Sequence, residues 1–208
     1  MEKLLKNLAN NNMEAYFVKT KGEIVPLVKK LINKGDTISC GGSVTLAECG
    51  VADLMKSGDY NFLDRAVCRT PEEITEIYRK TYSADAFFCS ANAVTENGEL
   101  YMVDGRANRI SAVLHGPESV ICIVGKNKIV PDFKAAVKRV KTVAAPKNAK
   151  RLNMKTPCAV TGVCCMPDGE PGTGCKCEDR ICADFVLLSQ QMIKNRIKVI
   201  ICGEELGY

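Results

Sequence analysis

The chain has 208 residues, 46% of them hydrophobic and 25% charged, the proportions of an ordinary globular domain, which excludes disorder along the whole chain. At this length folding buries roughly 70% of the surface the unfolded chain exposes, so a core forms without disulfide staples, and the 12 cysteines need another explanation. The 29 Lys and Arg exceed the 24 Asp and Glu by a net +5 with no run of five basic residues, which argues against a nucleic-acid partner and leaves a weak preference for anions.

In chain order, Leu4, Leu5 and Leu8, and then Ile24, Leu27, Val28, Leu31 and Ile32, recur at three- and four-residue intervals and predict two amphipathic helices, the second ended by Gly35-Asp36. Met1–Asn10 lacks the hydrophobic stretch of a secretory signal, and no apolar run approaches the roughly 18 residues of a membrane span. The expectation is a cytoplasmic protein without a membrane span. Short β-rich runs then alternate with amphipathic segments: Thr37 to Cys40, a helix near Thr45 to Ser57, Asn61 to Leu63, and Pro71 to Tyr82. This is the rhythm of an α/β domain. Ala86 to Ser90 and Val120 to Val124 are continuous apolar runs that suit strands buried on both faces of a mostly parallel sheet, with Leu100 to Val103 a further strand between them.

Asn108 to Leu114 reads as a short helix, Asp132 to Lys141 as a surface helix, and Lys147 to Thr156 as a basic connection without structure. Met166 to Gly174, with its glycines and prolines, must be a loop. Ala183 to Ser189 and Lys198 to Cys202 should return to the sheet. No linker divides the chain, so residues 1–208 form one domain with a Cys-rich loop at 157–182.

Three constellations could carry chemistry. Cys40-Gly41-Gly42-Ser43-Val44-Thr45 follows a strand and opens a helix; Gly41 and Gly42 let backbone approach a ligand, and the Ser43 and Thr45 hydroxyls suit a phosphate or carboxylate. Ser43 as an ordinary helix cap explains the same letters. Glu96 and Asp104, and with them Glu99, in the segments Asn92–Leu100 and Val103–Arg109, are candidate acids, bases or nucleophiles, and Asn108 and Arg109 candidate ligand contacts, where ligands gather at the carboxyl edge of an α/β sheet. Asn97-Gly98 also reads as a hairpin turn, and Asp104 with Arg109 as a structural ion pair. The single histidine, His115, reads as structural.

The third is the cluster of six thiols, Cys158, Cys164, Cys165, Cys175, Cys177 and Cys182, in 25 residues. In a reducing compartment free thiols serve metal or redox chemistry, and four soft thiolates bind zinc or hold an iron–sulfur cluster. The spacing matches neither a zinc ribbon nor a ferredoxin run, and a redox switch is the competing reading. The scattered cysteines read as small buried hydrophobes.

The runs Gly41–Leu46, Thr95 to Arg109, Gly116-Pro117 to Ile129, Arg180-Ile181-Cys182 and the ending Gly203–Tyr208 together resemble the lactate utilization (LUD) domain family over nearly the whole chain. The resemblance implies a three-layer α/β/α fold with a mostly parallel sheet, of the NagB/RpiA/CoA transferase-like kind, in which the Gly41, Gly42, Ser43, Thr45 loop contacts phosphate or CoA. It implies Cys158, Cys164, Cys175 and Cys182 as ligands of zinc or an iron–sulfur cluster, although the insertion from Cys165 to Gly174 and the extra Cys165 and Cys177 leave that set open. Thr95-Glu96-Asn97-Gly98 is similar to the segment that carries the nucleophilic glutamate of one class of CoA transferases. The function implied is an accessory role, with other lactate-oxidation subunits as partners, in iron–sulfur-dependent oxidation of lactate to pyruvate. The alternatives are a CoA transferase-like or sugar-phosphate isomerase-like enzyme with an anionic small-molecule ligand, and a metal- or redox-sensing protein.

Overall fold

A computed structural model describes all 208 residues. Six parallel strands form the main sheet: β1 (Glu14–Val18), β2 (Thr37–Cys40), β3 (Asn61–Phe62), β4 (Ala86–Cys89), β7 (Ser119–Gly125) and β10 (Ile197–Cys202), in the order β1-β10-β7-β4-β2-β3. The smaller sheet holds β5 (Ala93–Thr95), β6 (Leu100–Asp104), β8 (Ile129–Val130) and β9 (Asp184–Leu188), in the order β8-β5-β6-β9. In it β5 and β6 form the hairpin expected at Asn97-Gly98, with Gly98 at φ +81°.

The continuous apolar strands divide by period two between two cores. Phe87, Cys89, Val120, Cys122, Val124, Val199 and Ile201 face one side, packed with Leu4 and Leu8 of α1 (Glu2–Asn10) and with Ile110 and Val113 of α6 (Asn108–Leu114). Ala86, Phe88, Ile121, Ile123 and Ile200 face the other, against α2 (Ile24–Val28), α3 (Val44–Glu48) and α4 (Val51–Met55). The amphipathic α5 (Pro71–Thr81) opens at its Thr70 cap, and its Thr81 hydroxyl meets Ser39 of β2 at 2.7 Å. The chain is thus an α/β domain with helices on both faces of a parallel sheet, and no helix is long and apolar enough to cross a membrane.

Several elements differ from the sequence reading. Leu100–Asp104 and Asp184–Leu188 do not extend the parallel sheet; they pair antiparallel with each other in the smaller one, whose Val94, Leu100 and Met102 pack onto the first core while Tyr101 and Val103 meet α7 (Phe133–Arg139). The helix near Thr45 to Ser57 is two, because Gly50 takes φ +76° between α3 and α4, a left-handed backbone that no helix interior accommodates.

Lys147 to Thr156 is not structureless. α7 continues through a π turn at Val140–Ala144 into α8 (Ala145–Arg151). Pro146 has no N–H for the helical ladder, and the widened turn just ahead of it accommodates that gap. The turn also carries Lys141 inward, 6% exposed, where its Nζ donates to the carbonyls of Met166 and Thr173 and fastens the Cys-rich loop. That loop lacks regular structure through Met166–Gly174, as expected, and opens with the short helix α9 (Pro157–Thr161).

Candidate functional site: a cationic cleft at the carboxyl edge of the sheet

Strands β2, β4, β6 and β7 end on the same side of the molecule, and the segments that leave them, Gly41–Thr45, Ser90–Asn92, Asp104–Arg109 and Lys126–Lys128, border one cleft of about 380 Å³. This is where open α/β sheets gather ligands. Of the residues singled out in the sequence, the cleft brings together Gly42, Ser43, Thr45, Asp104, Asn108 and Arg109. Gly41 lies directly behind it: a Cβ there would stand 3.2 Å from Arg109 Cγ, so only glycine lets the chain pass that side chain without displacement.

Asp104 and Arg109 form the rigid corner. Arg109 Nε donates to Asp104 Oδ1 at 2.9 Å, and the main-chain N–H groups of Arg109 and Ile110 donate to Oδ2 at 3.0 and 2.9 Å. The rest of the guanidinium donates to Ser90 O, Asn92 Oδ1 and Val103 O. With four of its five N–H donors engaged, Arg109 holds β4, β5 and β6 in position, and the reading as a structural ion pair describes the geometry. The corner is strained at Ala107, a non-glycine residue at φ +51°, a conformation that costs of order 1 kcal/mol or more and concentrates at functional sites.

Lys128, which the sequence reading did not single out, forms the floor. Its side chain is 3% exposed and makes none of the ion pairs in the molecule. Nζ donates to Thr45 Oγ1 at 2.8 Å and to Ser90 Oγ at 2.9 Å, and those hydroxyls donate onward to Leu206 O and Ala91 O. Burial pushes its pKa down to about 8, with the nearby Arg139 and Arg109 acting in the same direction and Cys122 and Glu48 against it. A buried ammonium held only by hydroxyls is costly. It is the natural partner of an anion entering from the cleft.

The walls add charge of the same sign. Arg65, Arg106 and Arg151 line the cleft with Lys128 and Arg109, against the single side-chain carboxylate of Asp104. Arg65 donates to Tyr78 Oη and lies over its ring at 5.8 Å; its Nη2 would be 2.8 Å from a Cβ on Gly42. Arg151 is steadied by Tyr208 Oη at 2.7 Å and by Asn148. The segment Gly203–Tyr208 closes the back of the site: Asn127 grips Leu206 N and Gly207 O, Glu48 accepts from Gly207 N, and at φ +56° Gly207 passes so close that a Cβ would stand 2.6 Å from Thr45 Oγ1.

Glu96 lies elsewhere. It stands exposed in the β5–β6 turn, paired with Lys3 at 3.6 Å, while its carbonyl accepts from Asn7; it is not part of the cleft. Ser43 caps α3 through Leu46 N at 3.4 Å and also faces the cleft. His115 is an exposed residue at the end of α6. Cys49, Cys89, Cys122 and Cys202 are buried as expected, and Cys40 and Cys68 are partly so.

The Cys-rich loop folds against the smaller sheet, and Cys158, Cys164, Cys165, Cys175 and Cys182 line one void of about 20 Å³. Arg180 fixes its backbone by donating to the carbonyls of Gly172, Cys175 and Cys182. All four expected ligands border this void, while Cys177 lies outside it. No three Cys, His, Asp or Glu side chains are disposed as a ready ligand set for a metal ion. The donor chemistry suits a soft metal, and the void has room for one water-sized atom.

The LUD domain family model matches residues 1–202. The chain belongs to the LUD domain family. A DUF162 family protein from Deinococcus radiodurans superposes over 97% of this chain and 94% of that one with a TM-score of 0.54 at 15% identity, a likeness of fold. Partial matches are a ribose 5 phosphate isomerase A from Neisseria gonorrhoeae, at 15% identity over 65% of this chain and 66% of that one with a TM-score of 0.36, and eIF2B delta from Chaetomium thermophilum, at 21% identity over 55% and 49% with a TM-score of 0.38. No curated protein matches the chain.

Proposed function

We propose that this LUD protein binds a small anion, a carboxylate or a phosphate, in the cleft floored by Lys128, and serves in the cytosol as an accessory component of iron–sulfur-dependent oxidation of lactate to pyruvate. The observation that carries the reading is the buried Lys128 ammonium, without a carboxylate partner, beneath three arginines that border open space. Family membership supplies the lactate context. The test is thermal unfolding with lactate, pyruvate, inorganic phosphate, CoA and ribose 5-phosphate at constant ionic strength, because a ligand that binds only the folded state raises Tm by mass action. A saturable rise with one of them supports the reading, and its identity separates lactate chemistry from the CoA transferase-like and isomerase-like alternatives. A flat response to all five refutes it.

A second reading concerns the Cys-rich loop, favoured by the five cysteines that border one void. Cys158, Cys164, Cys175 and Cys182 hold zinc or an iron–sulfur cluster, and the size of the void favours a single ion. Zinc would clasp the loop, whereas a cluster would supply electron transfer. Anaerobic purification with elemental analysis and a visible spectrum decides between them. Stoichiometric metal that is lost when the four are changed to Ser supports the site; absence of both metals, or retention in all four variants, removes it.

A further inference from the structure

Lys128 has a feature that anion binding alone leaves unused. Thr45 Oγ1 and Ser90 Oγ each direct their own proton to a main-chain carbonyl, at 3.3 and 3.4 Å, so towards Lys128 both act as acceptors. A neutral amine has two N–H donors and one lone pair. The two donors satisfy the two hydroxyls, and the lone pair is left without a protein partner on a nitrogen that borders the cleft. No carboxylate bonds to Nζ to hold it protonated, and Arg109 and Arg139 stand nearby. Burial and neighbouring cations are what convert a lysine from a surface charge into a nucleophile.

We infer that Lys128 forms an imine with the carbonyl carbon of a 2-oxo carboxylate whose carboxylate group is held by the arginines of the cleft wall. This rests on the anion-binding reading and names the ligand class for it. Arg106 makes no hydrogen bond or ion pair within the chain, and Arg65 is engaged only through Nη1, so both have donors for a carboxylate. In the reaction the Nζ lone pair forms a bond to the carbonyl carbon as the C–O π bond breaks, and the oxygen takes up a proton. Nitrogen gives up one of its two protons in reaching the neutral carbinolamine, which then loses its hydroxyl group together with the one remaining N–H proton as water, leaving C=N. Amine and ketone give imine and water, and nothing is oxidised or reduced. The Thr45 and Ser90 hydroxyls, in contact with Nζ, are placed to pass the protons. A pKa near 8 leaves a usable fraction of free amine at neutral pH.

The experiment incubates the full chain with pyruvate at pH 7.5, adds cyanoborohydride, and reads the intact mass followed by peptide mapping. Thermal shift with pyruvate is measured on the same preparation. The expected result is one adduct per chain on Lys128, heavier by pyruvic acid less one oxygen atom, saturable in pyruvate and absent from Lys128→Arg, which keeps the cation and loses the nucleophile. A pyruvate thermal shift without an adduct, or adducts spread over surface lysines, overturns the imine and leaves the anion cleft standing. Neither shift nor adduct overturns the imine and counts against the cleft for this ligand. Because the modified residue is mapped in the unaltered protein, the result does not depend on the variant folding.

Discussion

Replacing Lys128 with Met tests the buried ammonium by its effect on stability. At about 1.4 kcal/mol per pH unit, holding the amine at about 8 instead of the ordinary 10.5 withholds roughly 3 kcal/mol of stability at neutral pH. Methionine removes that penalty along with two hydrogen bonds to hydroxyls worth about 1 kcal/mol each, so Lys128→Met should lie within about 1 kcal/mol of the parent at pH 7, or above it. The pH dependence carries the sign. Below about pH 8 the folded and unfolded chains both bind the proton and the penalty is fully present. Between 8 and 10.5 the unfolded chain keeps a proton that the folded chain has released, so the stability of the parent rises relative to the variant across that window. Urea unfolding followed by circular dichroism under reductant, at half-unit steps from pH 7 to pH 10, should show the difference between the two proteins flat below 8 and then growing by about 2 kcal/mol by pH 10. A difference that stays constant over the whole range refutes the argument, because it means that the amine titrates alike in both states.

Asp104→Asn should destabilise by about 3 kcal/mol in urea unfolding, since it leaves the buried Arg109 guanidinium without its counter-charge; a loss under 0.5 kcal/mol, about the scatter of surface changes, would show that the carbonyls around Arg109 suffice. Gly42→Ala sets a methyl group 2.8 Å from Arg65 Nη2, so that the guanidinium must shift, and should weaken anion binding several-fold in calorimetric titration with little change in Tm; unchanged affinity would remove Arg65 from the site. Glu96→Gln, outside the cleft, should leave ligand binding unaltered and cost under about 1 kcal/mol for its exposed pair with Lys3. A loss of binding would return Glu96 to the site.

The loop Gly41–Thr45 was legible because its glycines sit between an apolar strand and a helix start, a local signal. The burial of Phe87, Phe88, Ile121 and Ile123 was legible too, since continuous apolar runs have no solvent-facing side. The smaller sheet was not, because the antiparallel pairing of Tyr101 with Leu187 joins residues far apart in the chain and nothing within either run separates it from a parallel strand. Lys128 was hidden for a similar reason. In Gly125-Lys126-Asn127-Lys128-Ile129 it reads as one more basic residue in a turn, and its burial is created by Thr45, Ser90 and the terminal Leu206-Gly207, from three other parts of the chain. Arg65 and Arg151 likewise acquire a role only when the fold brings them to the rim. A basic residue directly ahead of apolar strand letters, Lys128-Ile129-Val130, was the one available signal.

The central claim is that an anion completes the charge of Lys128. Isothermal titration of the best anion from the thermal panel into the parent protein and into Lys128→Met, at pH 7 and fixed ionic strength, tests it most directly. The account predicts one saturable site in the parent and an affinity at least about tenfold lower in the variant, the about 1.4 kcal/mol or more that a charge-assisted hydrogen bond contributes. Equal affinity in the two proteins would contradict it.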